Sequence, residues 1–284
     1  MNILKEMLGE TPLDLFLSKH FTKLPYSSFQ GALKHTRLLN WKVVEEILQE
    51  KKSVLRIVQD GKVIKDYVDL SYLEAVKHHE QGQTLLLRYA EKSDQNLNQL
   101  AQDFSRSFHT EVDIQLYCTP EGHNAFGWHY DVEEVFIIQT RGSKEYSIRP
   151  NTVHPNPLVA SISKDLGYEK EKSDVAIKVT LKEGDWLYIP SGWWHVARTL
   201  SESMHISIGL IPRSAVDVVS FLPKYLSQEA FWRTRLPIHH TFDTEAEEIG
   251  FYQDAMAKLG QEMSKKMSSP EFIRNFLDSL KACK

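Results

Sequence analysis

His129 and Asp131 stand two apart in GWHYDVEEVFIIQTRGSKEYSI, which begins at Gly127. In an extended chain, residues i and i+2 point to the same side, about 6.5–7 Å apart along the backbone. Two such side chains can lean together onto one ion about 2 Å from each donor atom. An imidazole and a carboxylate supply two ligands, so a third must come from elsewhere. GDWLYIPSGWWH offers His195: Leu187 and Ile189 mark a strand, Pro190-Ser191-Gly192 makes a turn, and the histidine opens the next strand. A His-X-Asp triplet alone is a weak signal in a chain with twelve histidines. The competing pairs His109-Thr110-Glu111 and His78-His79-Glu80 fall in helical or polar connecting segments, where i and i+2 diverge.

Two histidines and one carboxylate leave one face of an octahedron open, the arrangement of non-haem Fe(II) oxygenases. A structural zinc site would be closed and usually richer in cysteine. Fe(II) with a single aspartate keeps a net positive charge, which favours an anionic bidentate cosubstrate. The second carboxylate of such a molecule needs a cation away from the metal. Lys144, just past the turn at Arg141-Gly142, suits that task if its strand face points inward. Elsewhere a strand lysine is usually a surface residue.

The elements that would carry these residues are legible in the hydrophobic periods. In 1–110 the chain reads mostly helical, with PLDLFLSKHF, WKVVEEILQE and YLEAVKHHEQG at helical spacing, the last stopping near Gly82. SVLRIVQDGKVIKDYVDL instead alternates about Asp60-Gly61, a hairpin turn. From about residue 111 the period becomes two. VDIQLYCT places Val112, Ile114, Leu116 and Cys118 on one face and Asp113, Gln115, Tyr117 and Thr119 on the other. VEEVFIIQ, KEYSIRP, AIKVTL, DWLYIP and MHISIGLI follow as short strands, the pattern of an all-β barrel or sandwich. After Pro212 the period is helical again. Ile249, Tyr252, Met256, Leu259 and Met263 form one stripe, and Ser269-Pro270-Glu271 opens a last helix whose face is Phe272, Phe276 and Leu280.

The chain has 284 residues, 42% hydrophobic and 25% charged, as expected for a globular protein. A formal charge of -4 does not favour nucleic acid as the main partner. The two cysteines, Cys118 and Cys283, fit neither a thiolate site nor a disulfide framework, which points to reducing cytoplasm. MNILKEMLGETPLDLF lacks the apolar core of a signal peptide, and no apolar run reaches membrane length.

GDWLYIPSGWWH fits the second cupin motif, Gly-X5-Pro-X-Gly-X2-His, at Gly184, Pro190, Gly192 and His195. LYCTPEGHNAFGWHYDVEEVFIIQTRGSKEYSI resembles the metal-binding strands of the JmjC-type 2-oxoglutarate oxygenases. Within these it is most similar to the cupin-4 group of ribosomal protein hydroxylases and to the asparaginyl hydroxylase acting on hypoxia-inducible factor. The resemblance implies a mainly β chain: a double-stranded β-helix (jelly-roll, cupin) barrel over 111–212, an N-terminal mixed helical region over 1–110 packing on it, and a C-terminal helical segment over 213–284 able to form a homodimer. It implies that His129, Asp131 and His195 bind Fe(II) and that Lys144 and Tyr117 hold the distal carboxylate of 2-oxoglutarate. Thr119 and Ser207 would line that pocket, and Trp128, Trp186, Trp193 and Trp194 are candidate apolar walls. Many relatives place Asn or Ser two residues beyond Ser207, where this chain has Gly209, so Ser207, His205 or a water would compensate. The last seventy or so residues are too short for a dimerisation segment plus the winged-helix domain of the ribosomal hydroxylases. The implied activity is Fe(II)-, 2-oxoglutarate- and O2-dependent hydroxylation of a protein side chain, releasing succinate and CO2. The alternatives are a non-oxidative metal-binding cupin of sugar-binding or isomerase type, and an oxygenase acting on a small molecule or tRNA base.

Overall fold

The computed structural model describes residues 3–158, 167–211, 213–236 and 241–282. Cys283 and the boundary residue Pro212 lie outside these. Chain contacts separate two compact units, Met1–Pro212 and Arg213–Lys284.

Eleven strands are described in the first unit: β1 (Tyr26–Ser28), β2 (Val54–Gln59), β3 (Lys62–Tyr67), β4 (Thr84–Arg88), β5 (Val112–Thr119), β6 (Glu134–Arg141), β7 (Ser143–Arg149), β8 (Ile177–Lys182), β9 (Trp186–Ile189), β10 (Trp194–Thr199) and β11 (Ser203–Leu210). They form an antiparallel sheet ordered β1-β9-β6-β11-β5-β4-β2-β3 and a smaller one ordered β10-β7-β8. The two face each other as a jelly roll. Among the described residues the two sheets stay separate in hydrogen bonding, and an isolated antiparallel bridge between His129 and His195 forms at the mouth.

Alternation decides what each face buries. On β6, Phe136 and Ile138 point into a core beneath the large sheet, while Val135 and Ile137 point between the sheets. Trp186 and Tyr188 of β9 take the first side, Leu187 and Ile189 the second. With both faces covered, β6 reads as a continuous apolar run. The core beneath the sheet is completed by helices α1 (Ile3–Leu8), α2 (Leu13–Leu15), α3 (Trp41–Glu50), α4 (Tyr72–Glu80) and α5 (Gln95–Phe108). Asp94 caps α5 by accepting from the N–H groups of Asn96 and Leu97 at 2.8 and 2.9 Å. The helix then turns Leu97, Leu100, Ala101 and Phe104 inward, and Phe104 meets Phe136 edge-on at 5.1 Å. Burying a side chain of that size stabilises by about 1.5–3 kcal/mol.

The hairpin at Asp60-Gly61 forms as the sequence predicts, both residues taking the positive φ of a mirror-image turn (49° and 78°). Two strands escape the sequence reading. β1 and β4, in the region expected to be mostly helical, join the large sheet at β9 and β5, so residues 26–88 extend the sheet itself.

The second unit holds α6 (Ala215–Leu226), α7 (Glu245–Met267) and α8 (Pro270–Ala282). Ser269 caps α8 by accepting from Phe272 N–H at 3.2 Å. Leu222, Leu226 and Phe272 form its small buried cluster. The stripe expected on α7 is left largely open: Ile249, Met256 and Met263 are exposed.

Candidate metal and cosubstrate site

The space between the sheets is filled at one end by Tyr146, Ile148, Leu181 and their neighbours, and opens at the other as a cleft of about 480 Å³. The larger sheet contributes Tyr117, Val135, Ile137, His205 and Ser207 to it; the smaller contributes Lys144, Tyr146, His195 and Ala197. His129, Asp131, Ala125 and Phe126 come from the segment linking β5 to β6. That segment is pinned by Ala125 O, which accepts from Gly61 N–H at 3.1 Å, and by Asn124 Oδ1, which accepts from Thr199 N–H at 3.2 Å.

His129, Asp131 and His195 converge: one donor atom from each lies within 4.8 Å of the others. The Nδ1–H of His129 donates to Gly127 O (2.8 Å), and that of His195 to Trp193 O (3.1 Å). A carbonyl can only accept, so both rings carry their proton on Nδ1 and present a bare Nε2, as metal-bound imidazoles do. His195 Nε2 sits 3.4 Å from Asp131 Oδ2. Burial, and then the neighbouring His129, push the His195 pKa down to about 4, which keeps the ring neutral. Two imidazoles and one carboxylate on one side of a cleft fit a divalent iron with open positions.

Lys144 is 2% exposed. Its ammonium donates to Thr119 Oγ1 at 3.0 Å and to His205 Nδ1 at 3.4 Å. Accepting at Nδ1 places the His205 proton on Nε2. Burial lowers the Lys144 pKa from 10.5 to about 7. Among the described residues no carboxylate pairs with this buried cation, although the cleft that Lys144 lines has room for one. An uncompensated buried charge is costly, and an anionic ligand would relieve it. The lysine therefore fits the far carboxylate of a dicarboxylic keto acid.

Tyr117 lines the cleft with its ring stacked on His205 (4.6 Å, 9°), and its hydroxyl donates to Gln115 Oε1 at 3.2 Å. Thr119 meets the lysine and not the cleft wall; Ser207 lines the wall. Gly209 is off the cleft, where an added Cβ would press Glu133 Cγ at 3.3 Å. The four tryptophans do not supply the walls. Trp186 is in the core beneath the large sheet, donating to Met7 O at 2.9 Å, and Trp193 packs against the inter-sheet cluster. Outside the cleft, Trp128 stacks on Tyr168 and Trp194 donates its indole N–H to Glu171. Phe126, Val135, Ile137 and Tyr146 take the expected place of the tryptophans. The strand alternation of β6 was the signal for two of these.

Residues 86–218 match the model of the JmjC domain family. That stretch holds strands β5 to β11 and the metal-facing residues described above. Its sequence is 31% identical over 135 residues to the bifunctional lysine-specific demethylase and histidyl-hydroxylase NO66 of Dictyostelium discoideum, covering 46% of this chain and 26% of that protein. The NO66 of Drosophila persimilis is 25% identical over 228 residues, 72% of this chain and 31% of that one. The chain thus spans about a third or less of these curated relatives. Among solved structures, YcfD, a ribosomal oxygenase from Escherichia coli in complex with cobalt and 2-oxoglutarate, superposes with a TM-score of 0.66 at 20% identity, over 96% of this chain and 71% of that one. YcfD in complex with cobalt and succinic acid gives 0.65 at 20%, over 94% and 69%. The chain shares the fold of these solved structures. Among the described residues no helix is long and apolar enough to cross a membrane.

Proposed function

We propose that this chain is an Fe(II)- and 2-oxoglutarate-dependent oxygenase that hydroxylates a side chain of a protein, a ribosomal protein being the favoured class. The observation that carries the reading is the pairing, in one cleft, of a convergent two-histidine, one-aspartate set with a buried lysine that has no carboxylate partner among the described residues. The names of the similar proteins, a histidyl-hydroxylase and a ribosomal oxygenase with 2-oxoglutarate, support the protein substrate.

When bound, Fe(II) and 2-oxoglutarate would supply the O2-dependent oxidation that leaves succinate, CO2 and a hydroxylated product. The chain's own part is to hold and to exclude. His129 and His195 offer Nε2 with the proton parked on the far nitrogen, and Asp131 offers a carboxylate. Lys144, kept in place by Thr119 and His205, would hold the cosubstrate's distal carboxylate. Tyr117, whose hydroxyl engages Gln115, and Ser207 complete that end. Phe126, Val135 and Ile137 line the cleft with apolar surface and would limit water beside a bound metal. The setting is cytoplasmic, and the exposed apolar residues of α7 support a homodimer, to be read as a doubled mass in light scattering.

The test is incubation with cell extract, Fe(II), 2-oxoglutarate, O2 and ascorbate, followed by mass spectrometry for a protein gaining one oxygen. Succinate formation without any protein product would favour a small substrate or a tRNA base. Absence of 2-oxoglutarate turnover would leave a non-oxidative metal-binding cupin.

A further inference from the structure

Each metal-facing histidine follows a tryptophan: Trp128 precedes His129 and Trp194 precedes His195. Neighbours in extended chain point to opposite sides, so the two indoles lie on the outer side of the smaller sheet's end. Both are gripped there by the connection between β7 and β8. Glu171, 7% exposed, accepts from Trp194 Nε1–H at 3.0 Å. The same carboxylate accepts from Thr152 N–H and Oγ1–H (2.6 and 2.9 Å) and from the N–H groups of Lys172 and Ser173 (2.9 and 2.8 Å). Tyr168, three residues earlier, meets Trp194 edge-on at 5.2 Å and stacks on Trp128 at 5.2 Å. Arg149, directly opposite Trp194 in the β10–β7 register, lies over Trp128 and Tyr168 at 5.0 and 4.4 Å.

A carboxylate with five donors is more than a surface loop needs. Burial alone would raise the Glu171 pKa, yet hydrogen bonds from Ser173 and Thr152 hold it down to about 2, so it stays ionised. The indole it fixes is fully buried and one peptide from His195, whose backbone is bonded both ways to His129.

We propose that Glu171 is a positioning residue for the metal site: through the Trp194 indole, and through the Tyr168–Trp128 stack beside it, it sets the separation and ring orientation of His195 and His129. It acts behind the ligands and touches neither cosubstrate nor metal. The inference rests on the metal reading above.

The test is Co(II) titration of the full chain, followed by calorimetry and by the visible absorption band of the bound ion. Glu171→Gln puts an amide NH2 where only acceptors fit, and Trp194→Phe removes the indole N–H while retaining an aromatic ring. Either variant is expected to weaken Co(II) binding by up to about tenfold, the lower end of what removing a direct hydrogen-bond partner of a ligand costs, and to alter the Co(II) band. A residue that merely stabilised the loop would lower the melting temperature and leave both readouts alone. Wild-type affinity and band in both variants overturn the proposal; if Glu171→Gln does not fold, Trp194→Phe decides by the same readouts. Absence of Co(II) binding by the wild type, or its persistence in Asp131→Ala, would instead overturn the metal reading and this proposal with it.

Discussion

His129 and His195 donate backbone hydrogen bonds to each other, His129 N–H to His195 O at 3.1 Å and His195 N–H to His129 O at 2.8 Å. This bridge fastens the segment before β6 to the start of β10. The main chain thus takes part in holding the imidazoles, with Nδ1–H of each tied to a carbonyl two residues back. Asp131 is held likewise, its carbonyl accepting from Gly192 N–H at 2.8 Å.

Because those bonds are backbone bonds, Asp131→Ala should remove a ligand without removing the architecture. The Asp131 side chain is 38% exposed, so little packing is lost. Co(II) or Fe(II) affinity should fall by more than the 10–100-fold typical of outer-shell changes, and 2-oxoglutarate turnover should vanish. The melting temperature without metal should move by only a few degrees. A variant that still binds Co(II) as the wild type does would show that the aspartate is not a ligand.

Lys144→Met separates stability from binding. Below pH 7 the folded and unfolded chains both carry the lysine proton, and folding buries the full charge. Between about 7 and the ordinary 10.5 only the unfolded chain holds it, so wild-type stability without ligand rises with pH across that window. Methionine removes the penalty. The variant should be more stable than the wild type at pH 6, on the order of a few kcal/mol, with the gap closing towards pH 10. Urea denaturation at several pH values reads this. The same variant should raise the 2-oxoglutarate KM by at least tenfold, since the distal carboxylate would be buried unpaired. An unchanged KM would reassign the cosubstrate's anchor.

Trp186→Phe tests the division of labour among the tryptophans. It deletes the indole N–H bond to Met7 O and leaves a gap in a fully buried position. A loss of about 1–3 kcal/mol is expected in denaturant unfolding. Metal affinity and turnover per folded molecule should stay at wild-type values, because the ring faces the core beneath the sheet and not the cleft. A raised KM at constant stability would contradict that placement.

The sequence spoke most clearly where a single period governs. β5 alternates as read, with Ile114, Leu116 and Cys118 buried beneath the sheet and Tyr117 in the cleft. The turn at Asp60-Gly61 and the cap at Ser269 carry their own local chemistry. β4 was missed because TLLLR, buried almost throughout, has no alternation to display, and β1 because three residues have no period at all. Alternation gives opposite faces but not which face meets the cleft, so it does not place the four tryptophans. His205 becomes legible as Lys144's neighbour only once β11 is laid beside β5, opposite Tyr117. Glu171 was invisible for a plainer reason: in YEKEKSD it reads as one of a solvated run of charges.

Gly142 links the local turn to the site. It joins β6 to β7 at a φ of +68°, and a Cβ there would stand 1.9 Å from the carbonyl oxygen of Glu202. Backbone on both sides leaves little room to yield, since Ser143 N–H is bonded to Ser201 Oγ at 3.0 Å and Leu200 N–H to Ser143 O at 3.0 Å. Gly142→Ala therefore combines left-handed strain with a backbone clash, and should cost about 2–4 kcal/mol in denaturant unfolding. Relief requires the turn to move, and Lys144 lies two residues along, opposite Thr199. The folded fraction of the variant should show a raised 2-oxoglutarate KM together with near-normal Co(II) affinity, since the histidine bridge is at the far end of β10. Equal losses in both would mean that the turn supports the sheet as a whole and has no particular hold on the lysine.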